Sequence, residues 1–98
     1  MELAPALTPE AAEALAIQAL TFIAEDGERL GRFLAETGIG PAQIRTAAQE
    51  PVFLIGVLDY LAGDERLLAA FAAEAGIDPT AIGKALAALG GHWERETP

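Results

Sequence analysis

The sequence predicts an all-α protein that folds as a compact six-helix bundle, with residues 1–98 in a single domain. Apolar residues make up 52% of the chain and are dominated by alanine and leucine, the strongest helix formers. The chain also matches itself without a gap at an offset of 38 residues, and the matched pairs include Ile17/Ile55, Phe33/Phe71 and Gly38/Gly76. Because a unit of this size cannot bury its apolar face alone, two three-helix repeats, at about 9–47 and 47–85, are expected to pack together. A short right-handed solenoid of armadillo type is the alternative to the bundle, and it is less favoured because two units would leave both its ends uncapped.

The first repeat begins with Thr8 as N-cap and Pro9 at the first helical position, where a missing N–H costs nothing. Helix 1 should extend to about Glu25. Its nearly continuous apolar surface is typical of a helix buried on several sides, at the centre of the bundle. Asp26 is expected to cap helix 2, and Gly38 to end that helix in a left-handed conformation.

Helix 3 is predicted from Pro41 to about Glu50 and is the most polar of the six, with a narrow packing face. Pro51 opens helix 4, whose run of large apolar residues makes it the second central helix. Helix 5 is expected to begin at Gly63 and Asp64, and Gly76 is expected to repeat the left-handed turn of Gly38. Helix 6 follows, with one apolar stripe formed by Ile82, Leu86, Leu89 and Trp93.

The charge balance restricts the partners of the chain. There are 15 acidic and 6 basic side chains, and the net charge of -9 repels nucleic acids and anionic membranes at long range. No Lys or Arg precedes Arg29, unlike the basic leader of a secreted protein. The uncharged stretch from Ala14 to Ala24 is shorter than the roughly 20 residues that span a bilayer. We expect a soluble cytoplasmic protein without membrane contact.

Catalysis is poorly supported by the residue types present. Serine, cysteine and asparagine are absent, and Lys84, Tyr60 and His92 are each the one residue of their kind. These residues cannot assemble a hydrolase triad, and the carboxylates lack the alternating spacing of a calcium loop. His92 lies near a terminus where residues 94–98 are expected to form a disordered tail. The sequence therefore predicts no enzyme, no metal site and no cofactor.

Four residues have the spacing of a helix-turn-helix motif, in which a glycine turn joins two packed helices: Ala72, Gly76, Ile77 and Ile82. DNA recognition would need several cations on the second helix, which offers only Lys84. The motif is therefore interpreted as a packed helical corner, and nucleic-acid binding is kept as an unfavoured alternative. Binding of a small ligand between helices 1 and 4 is a further alternative, which requires a cavity there.

Contact with another protein is the function that the sequence favours, through a separate partner or through a second copy of the chain as a homodimer. Arginine pairs with carboxylates in a bidentate manner, and tryptophan is a common interface anchor. A carboxylate beside a tyrosine, inside the apolar run of helix 4, offers a further polar contact. The candidate partner-binding residues are Arg29, Arg32, Arg45, Asp59, Tyr60 and Trp93.

Several of these candidates also have a simpler structural interpretation. Glu25 and Glu28 can neutralise the two arginines of helix 2 along their own helix. Trp93 can cover one end of the core. Asp59 can mark the single solvated stripe of helix 4, since Thr21 occupies the equivalent position in the first repeat.

Three segments carry a resemblance to a known family: FIAED at 22–26, RFLAETG at 32–38 and VLDYL at 57–61. They resemble a family of short bacterial proteins classified as a domain of unknown function. The resemblance covers about Ala12 to Ala85, and its shared residues belong to helix cores and turns. It implies an all-helical fold and assigns no catalytic or binding residue.

Overall fold

A computed structural model describes residues 7–90, which form six α-helices and no strand. The helices are α1 (Pro9–Ala24), α2 (Gly27–Thr37), α3 (Ile44–Ala47), α4 (Pro51–Ala62), α5 (Glu65–Ala75) and α6 (Thr80–Leu89). A short 3-10 helix, Pro41–Gln43, precedes α3. The all-α prediction is confirmed. The predicted tail at 94–98 lies outside the described residues.

The helix starts follow from local capping chemistry. The Thr8 hydroxyl accepts a hydrogen bond from the backbone N–H of Ala11 at 3.0 Å, as expected for an N-cap residue. The carboxylates of Asp26 and Asp64 each accept hydrogen bonds from two backbone N–H groups in the first turns of α2 and α5, with N···O distances of 2.9 to 3.4 Å. These side chains satisfy donors that a helix leaves unpaired at its N-terminus. The predicted caps Thr8 and Asp26 are confirmed, and Asp64 caps α5 in the same way.

The ends of α2 and α5 depend on glycine. Gly38 and Gly76 have φ values of 76° and 69°, in the left-handed region that side chains with a Cβ rarely adopt. The Gly38 N–H donates to the Leu34 carbonyl at 2.8 Å, and the N–H of Ile77 donates to the carbonyl of Ala72 at 3.0 Å. These bonds satisfy carbonyls at the helix ends, as the sequence predicted.

The third segment of the first half differs from its prediction. A continuous helix from Pro41 to Glu50 was expected, whereas the structure has the 3-10 helix and then a single turn, α3. A short helix needs a packed apolar face, and Ile44 is only half-buried. The counterpart of this segment in the second half is α6, ten residues long. At the 38-residue offset, α2 and α5 have matching bounds, whereas α4 begins four residues later than α1 and the third segments differ, so the predicted pair of equal three-helix repeats is not confirmed.

Three helices, α1, α4 and α6, pack against one another at the centre, while α2 packs on α1 and α5 packs on α4. The sequence placed α1 and α4 in the core correctly but did not place α6 there. The large side chains with almost no exposed surface are Phe33, Phe71, Ile23, Leu58, Leu61, Ile82 and Val57. One side of α1 remains open to solvent, because Ile17 is 40% exposed.

Aromatic rings connect the two halves. Phe33 of α2 contacts Tyr60 of α4, with ring centroids 5.0 Å apart, and also Phe53 of α4 at 6.0 Å. Phe71 of α5 contacts Phe22 of α1 at 5.4 Å. The second helix of each half is thus in contact with the first helix of the other half.

Within residues 7–90, every helix is too short or too polar to cross a bilayer.

Candidate partner-binding surface

A cleft of about 700 Å³ opens between α2 and the junction of α4 with α5. We call it the charged cleft, and its lining residues are Arg32, Glu36, Asp59, Tyr60, Gly63, Asp64, Glu65 and Arg66. Three of these, Arg32, Asp59 and Tyr60, are partner-binding residues predicted from the sequence. The fold brings them together because Phe33 packs α2 against Tyr60 of α4, near the end of α4 that leads into α5.

The two arginines of the charged cleft are not paired within the described part of the chain. Neither Arg32 nor Arg66 has a carboxylate oxygen within 4.0 Å, although four carboxylates line the same cleft. One oxygen of Asp64 is already engaged by backbone N–H groups of α5. Because a guanidinium has five N–H donors, both arginines keep most of their hydrogen-bonding capacity for a ligand.

Tyr60 forms the floor of the charged cleft with a half-buried side chain. Burial raises the pKa of its phenol above the ordinary value of 10.0, and the charge of Glu36 raises it further. The positive charge of Arg32 opposes these effects, while Asp64 adds to them. The hydroxyl therefore stays protonated at neutral pH and can donate or accept a hydrogen bond.

Arg29 faces a neighbouring groove of about 430 Å³, the central groove, which separates α2 from α5 and is lined by Asp26, Glu28, Arg29, Arg32, Asp64, Arg66, Leu67 and Ala70. The Arg29 guanidinium lies 4.0 Å from the ring centroid of Phe22, and its Nη1 donates to the Phe22 carbonyl at 3.4 Å. Its Nε is 4.0 Å from an Asp26 carboxylate oxygen. Arg29 thus stabilises the junction of α1 and α2.

A third groove, the apolar groove, lies between α1 and α5 and measures about 290 Å³. Its lining residues are Ile17, Gln18, Thr21, Phe22, Glu25, Phe71, Glu74 and Ala75. Phe22 and Phe71 are almost fully buried beneath it, and the exposed Ile17 forms part of its wall. Two carboxylates, Glu25 and Glu74, stand at its rim.

Many of the residues that line the three grooves are related to one another by the 38-residue offset of the sequence. Four lining residues of the apolar groove occupy positions equivalent to four of the charged cleft: Thr21/Asp59, Phe22/Tyr60, Glu25/Gly63 and Glu74/Glu36. The eight residues of the central groove form four equivalent pairs among themselves: Asp26/Asp64, Glu28/Arg66, Arg29/Leu67 and Arg32/Ala70. The charged cleft and the apolar groove are therefore lined in part by equivalent positions of the two halves, but the side chains at these positions differ in chemistry. The central groove lies between them.

A comparison with protein families matches residues 9–92 to the family described as "Protein of unknown function (DUF3572)". The chain belongs to this family. The DUF3572 match includes all six helices and every residue of the three grooves, and it confirms the resemblance found in the sequence. No curated protein and no solved structure gives a significant match.

Of the other three predicted partner-binding residues of this DUF3572 domain, Arg29 lines the central groove and not the charged cleft. Arg45 is exposed on α3 and lines none of the three grooves. Trp93 lies outside the described residues, as does His92. Among residues 7–90, no group of three or more acidic or histidine side chains is arranged to hold a metal ion.

The sequence analysis did not single out Glu36 or Arg66. Arg66 lies in the first turn of α5 and resembles ordinary surface charge when only the sequence is read. The recurrence of Glu36 as Glu74 was visible as part of the repeat, but its meaning was not. Both residues become site candidates only when α2 and α5 are placed side by side.

Proposed function

We propose that this domain acts by binding a partner protein rather than by catalysing a reaction, and that the charged cleft is its binding site. The observation that carries the proposal is the convergence of Arg32, Asp59 and Tyr60 on one cleft. The sequence had suggested these residues separately, for different reasons. The cytoplasmic location expected from the sequence is part of the same proposal.

The unpaired arginines support a protein ligand. Arg32 belongs to α2 and Arg66 to α5, so that a carboxylate-bearing segment between the helices could be held from two sides. Tyr60 adds a half-buried ring that is already positioned by Phe33 and therefore loses little conformational entropy on binding. Arginine and tyrosine are the residue types most enriched at the energetic centres of protein interfaces.

The balance of charge in the cleft supports a partner segment of mixed charge. The four carboxylates outnumber the two arginines, which disfavours a polyanion such as nucleic acid. The helix-turn-helix alternative gains no support either. Its second helix, α6, buries Ile82 and Ala85 in the core and has Lys84 as its one basic residue.

Separate partners are better supported than self-association. The large apolar side chains exposed in residues 7–90 are Ile17 and Val52, which lie on different helices. Stable homodimer interfaces are extensive and more apolar than this surface. Ligand binding between the central helices gains no support from the described residues, since none of the three grooves separates α1 from α4.

The test compares three immobilised proteins in extracts of the cells that produce the chain. They are the wild type, the cleft variant Arg32→Glu/Arg66→Glu and the control variant Arg45→Glu/Lys84→Glu. Both variants change the net charge equally and replace exposed residues, and circular dichroism checks that both are folded.

We expect a protein that is retained by the wild type and by the control but lost from the cleft variant. Its retention should weaken with salt, because charged contacts at a protein surface are screened. Equal retention by all three proteins, or retention by none, would refute the charged cleft as a binding site.

A further inference from the structure

The apolar groove combines a buried aromatic floor with an exposed aliphatic wall. Phe22 and Phe71 are 3% and 2% exposed, and their rings meet at 57°. Ile17 stands beside them with 40% of its surface exposed, although seven other side chains of the same helix are buried. Burying an aliphatic side chain in contact with such a floor is favourable, because apolar area is removed from water.

The size of the groove limits what can fill it. Its volume of about 290 Å³ is at the lower end of the range for sites that enclose a whole small molecule, which is roughly 300–1,000 Å³. It is suited to one or two apolar side chains that project from a larger ligand.

The negative charge at the rim of the apolar groove further restricts which ligands can bind there. Glu25 and Glu74 both line the groove, and among residues 7–90 no lysine or arginine does. The nearby Arg29 is held on the ring and carbonyl of Phe22. A second copy of the chain placed on this groove would bring four rim carboxylates together, and like charges are costly at an interface. Phosphate-rich ligands are repelled for the same reason.

We infer that the apolar groove binds a basic amphipathic helix of a partner protein, which inserts one large apolar side chain beside Ile17 and places cations near Glu25 and Glu74. This arrangement is a helix-in-groove interaction, in which an apolar residue anchors the helix and flanking charges orient it. The equivalent positions of the charged cleft carry Asp59 and Tyr60, so the two sites accept different ligands.

Three labelled synthetic helices serve as probes. The first has a leucine face and lysines elsewhere, the second has the same leucine face with glutamates, and the third keeps the lysines but replaces leucine with serine. We expect the leucine–lysine helix to bind at least about fivefold more tightly than either of the others. It is the one probe that offers both an apolar side chain to the aromatic floor and cations to the rim carboxylates. Backbone amide NMR shifts should locate its binding at α1 and α5.

Matched variants test the two features separately. Ile17→Ser should weaken binding of the leucine–lysine helix about fivefold, whereas Val52→Ser, which alters the other exposed aliphatic residue, should change it less than about twofold. Glu25→Gln/Glu74→Gln should weaken binding about fivefold relative to the charge-matched control, in which Glu10 and Glu50 become glutamine.

Some results would overturn the inference. They are equal binding of the leucine–glutamate helix, equal effects of a variant and its control, or no binding of any helix. The inference rests on the proposed function only in assuming that the domain acts by binding protein. Because Arg32→Glu/Arg66→Glu leaves the apolar groove intact, it should retain the leucine–lysine helix, and each proposal can then fail independently of the other.

Discussion

The ring of Tyr60 stands edge-on to the ring of Phe33, with 5.0 Å between centroids and 79° between the ring planes. At the 38-residue offset, Tyr60 is equivalent to Phe22 and Phe33 is equivalent to Phe71. The rings of Phe22 and Phe71 are also in contact. Each half of the chain therefore packs a phenylalanine of its second helix onto the first helix of the other half. The charged cleft and the apolar groove lie beside these two contacts.

The contact between Phe33 and Tyr60 should be measurable as a coupling energy. A double-mutant cycle with Phe33→Leu and Tyr60→Leu should give about 0.5–1.5 kcal/mol beyond additivity in the free energy of unfolding, because edge-to-face rings attract each other. Urea denaturation provides the measurement. Phe33→Leu combined with Lys84→Ala, at an exposed position of α6, is the control and should be additive. Additive behaviour of the Phe33 and Tyr60 variants would show that the ring contact has no specific energy.

Alanine substitutions should have opposite effects at two kinds of glycine. Gly38→Ala should destabilise the fold by about 1 kcal/mol, because its φ of 76° is unfavourable for a residue with a Cβ. Gly83→Ala should stabilise it by about 0.5–1 kcal/mol, because Gly83 lies inside α6 and no atom is within 4 Å of an added Cβ. Thermal unfolding followed by circular dichroism distinguishes these signs, and the same sign for both would contradict the argument.

Tyr60 should ionise above its ordinary pKa of 10.0, and two substitutions should move that pKa in opposite directions. Glu36→Gln should lower it, whereas Arg32→Gln should raise it, since the two charges act on the phenolate with opposite signs. Tyr60 is the single tyrosine, so its phenolate absorbance reports it directly. Because the folded pKa is raised, the contribution of this group to stability is fully present below pH 10 and is lost as the pH rises through the higher, folded pKa. Shifts of the same sign would exclude the proposed environment.

Asp78 should contribute to the acid sensitivity of the fold. Its carboxylate accepts the backbone N–H of Thr80 at 2.9 Å and the Thr80 hydroxyl at 2.8 Å, and these bonds lower its pKa below the ordinary value of 3.8. A lowered folded pKa means that stability is present above pH 3.8 and is lost as the pH falls through the folded pKa. Asp78→Asn should therefore show a smaller loss of stability than the wild type over that range, measured by urea denaturation. An equal loss of stability in Asp78→Asn and the wild type over that range would contradict this role of Asp78.

Much of the fold could be predicted from short-range patterns. The caps at Thr8, Asp26 and Asp64 and the left-handed glycines depend on interactions within a few residues, and each appears where its chemistry requires it. The exception is the segment after Pro41. Its residues favour a helix locally, but its narrow apolar face, with Ile44 only half-buried, stabilises no more than one turn.

The candidate site was only partly predictable. Arg32 was identified from its residue type, and Asp59 and Tyr60 from a carboxylate beside a tyrosine in an apolar run, but nothing in the order of residues indicated that they share a cleft with Arg66. That proximity depends on α2 packing on α1 while α5 packs on α4, which leaves α2 and α5 as neighbours.

The amino-acid order accounts for the helices, their ends and the 38-residue self-similarity, because capping, glycine geometry and apolar periodicity act over a few residues of chain. The entry of α6 into the core, the shortening of α3 and the shapes of the three grooves follow from packing between segments far apart in the chain. Such contacts depend on which apolar faces compete for the same buried area, and that competition is resolved only when all the helices are assembled.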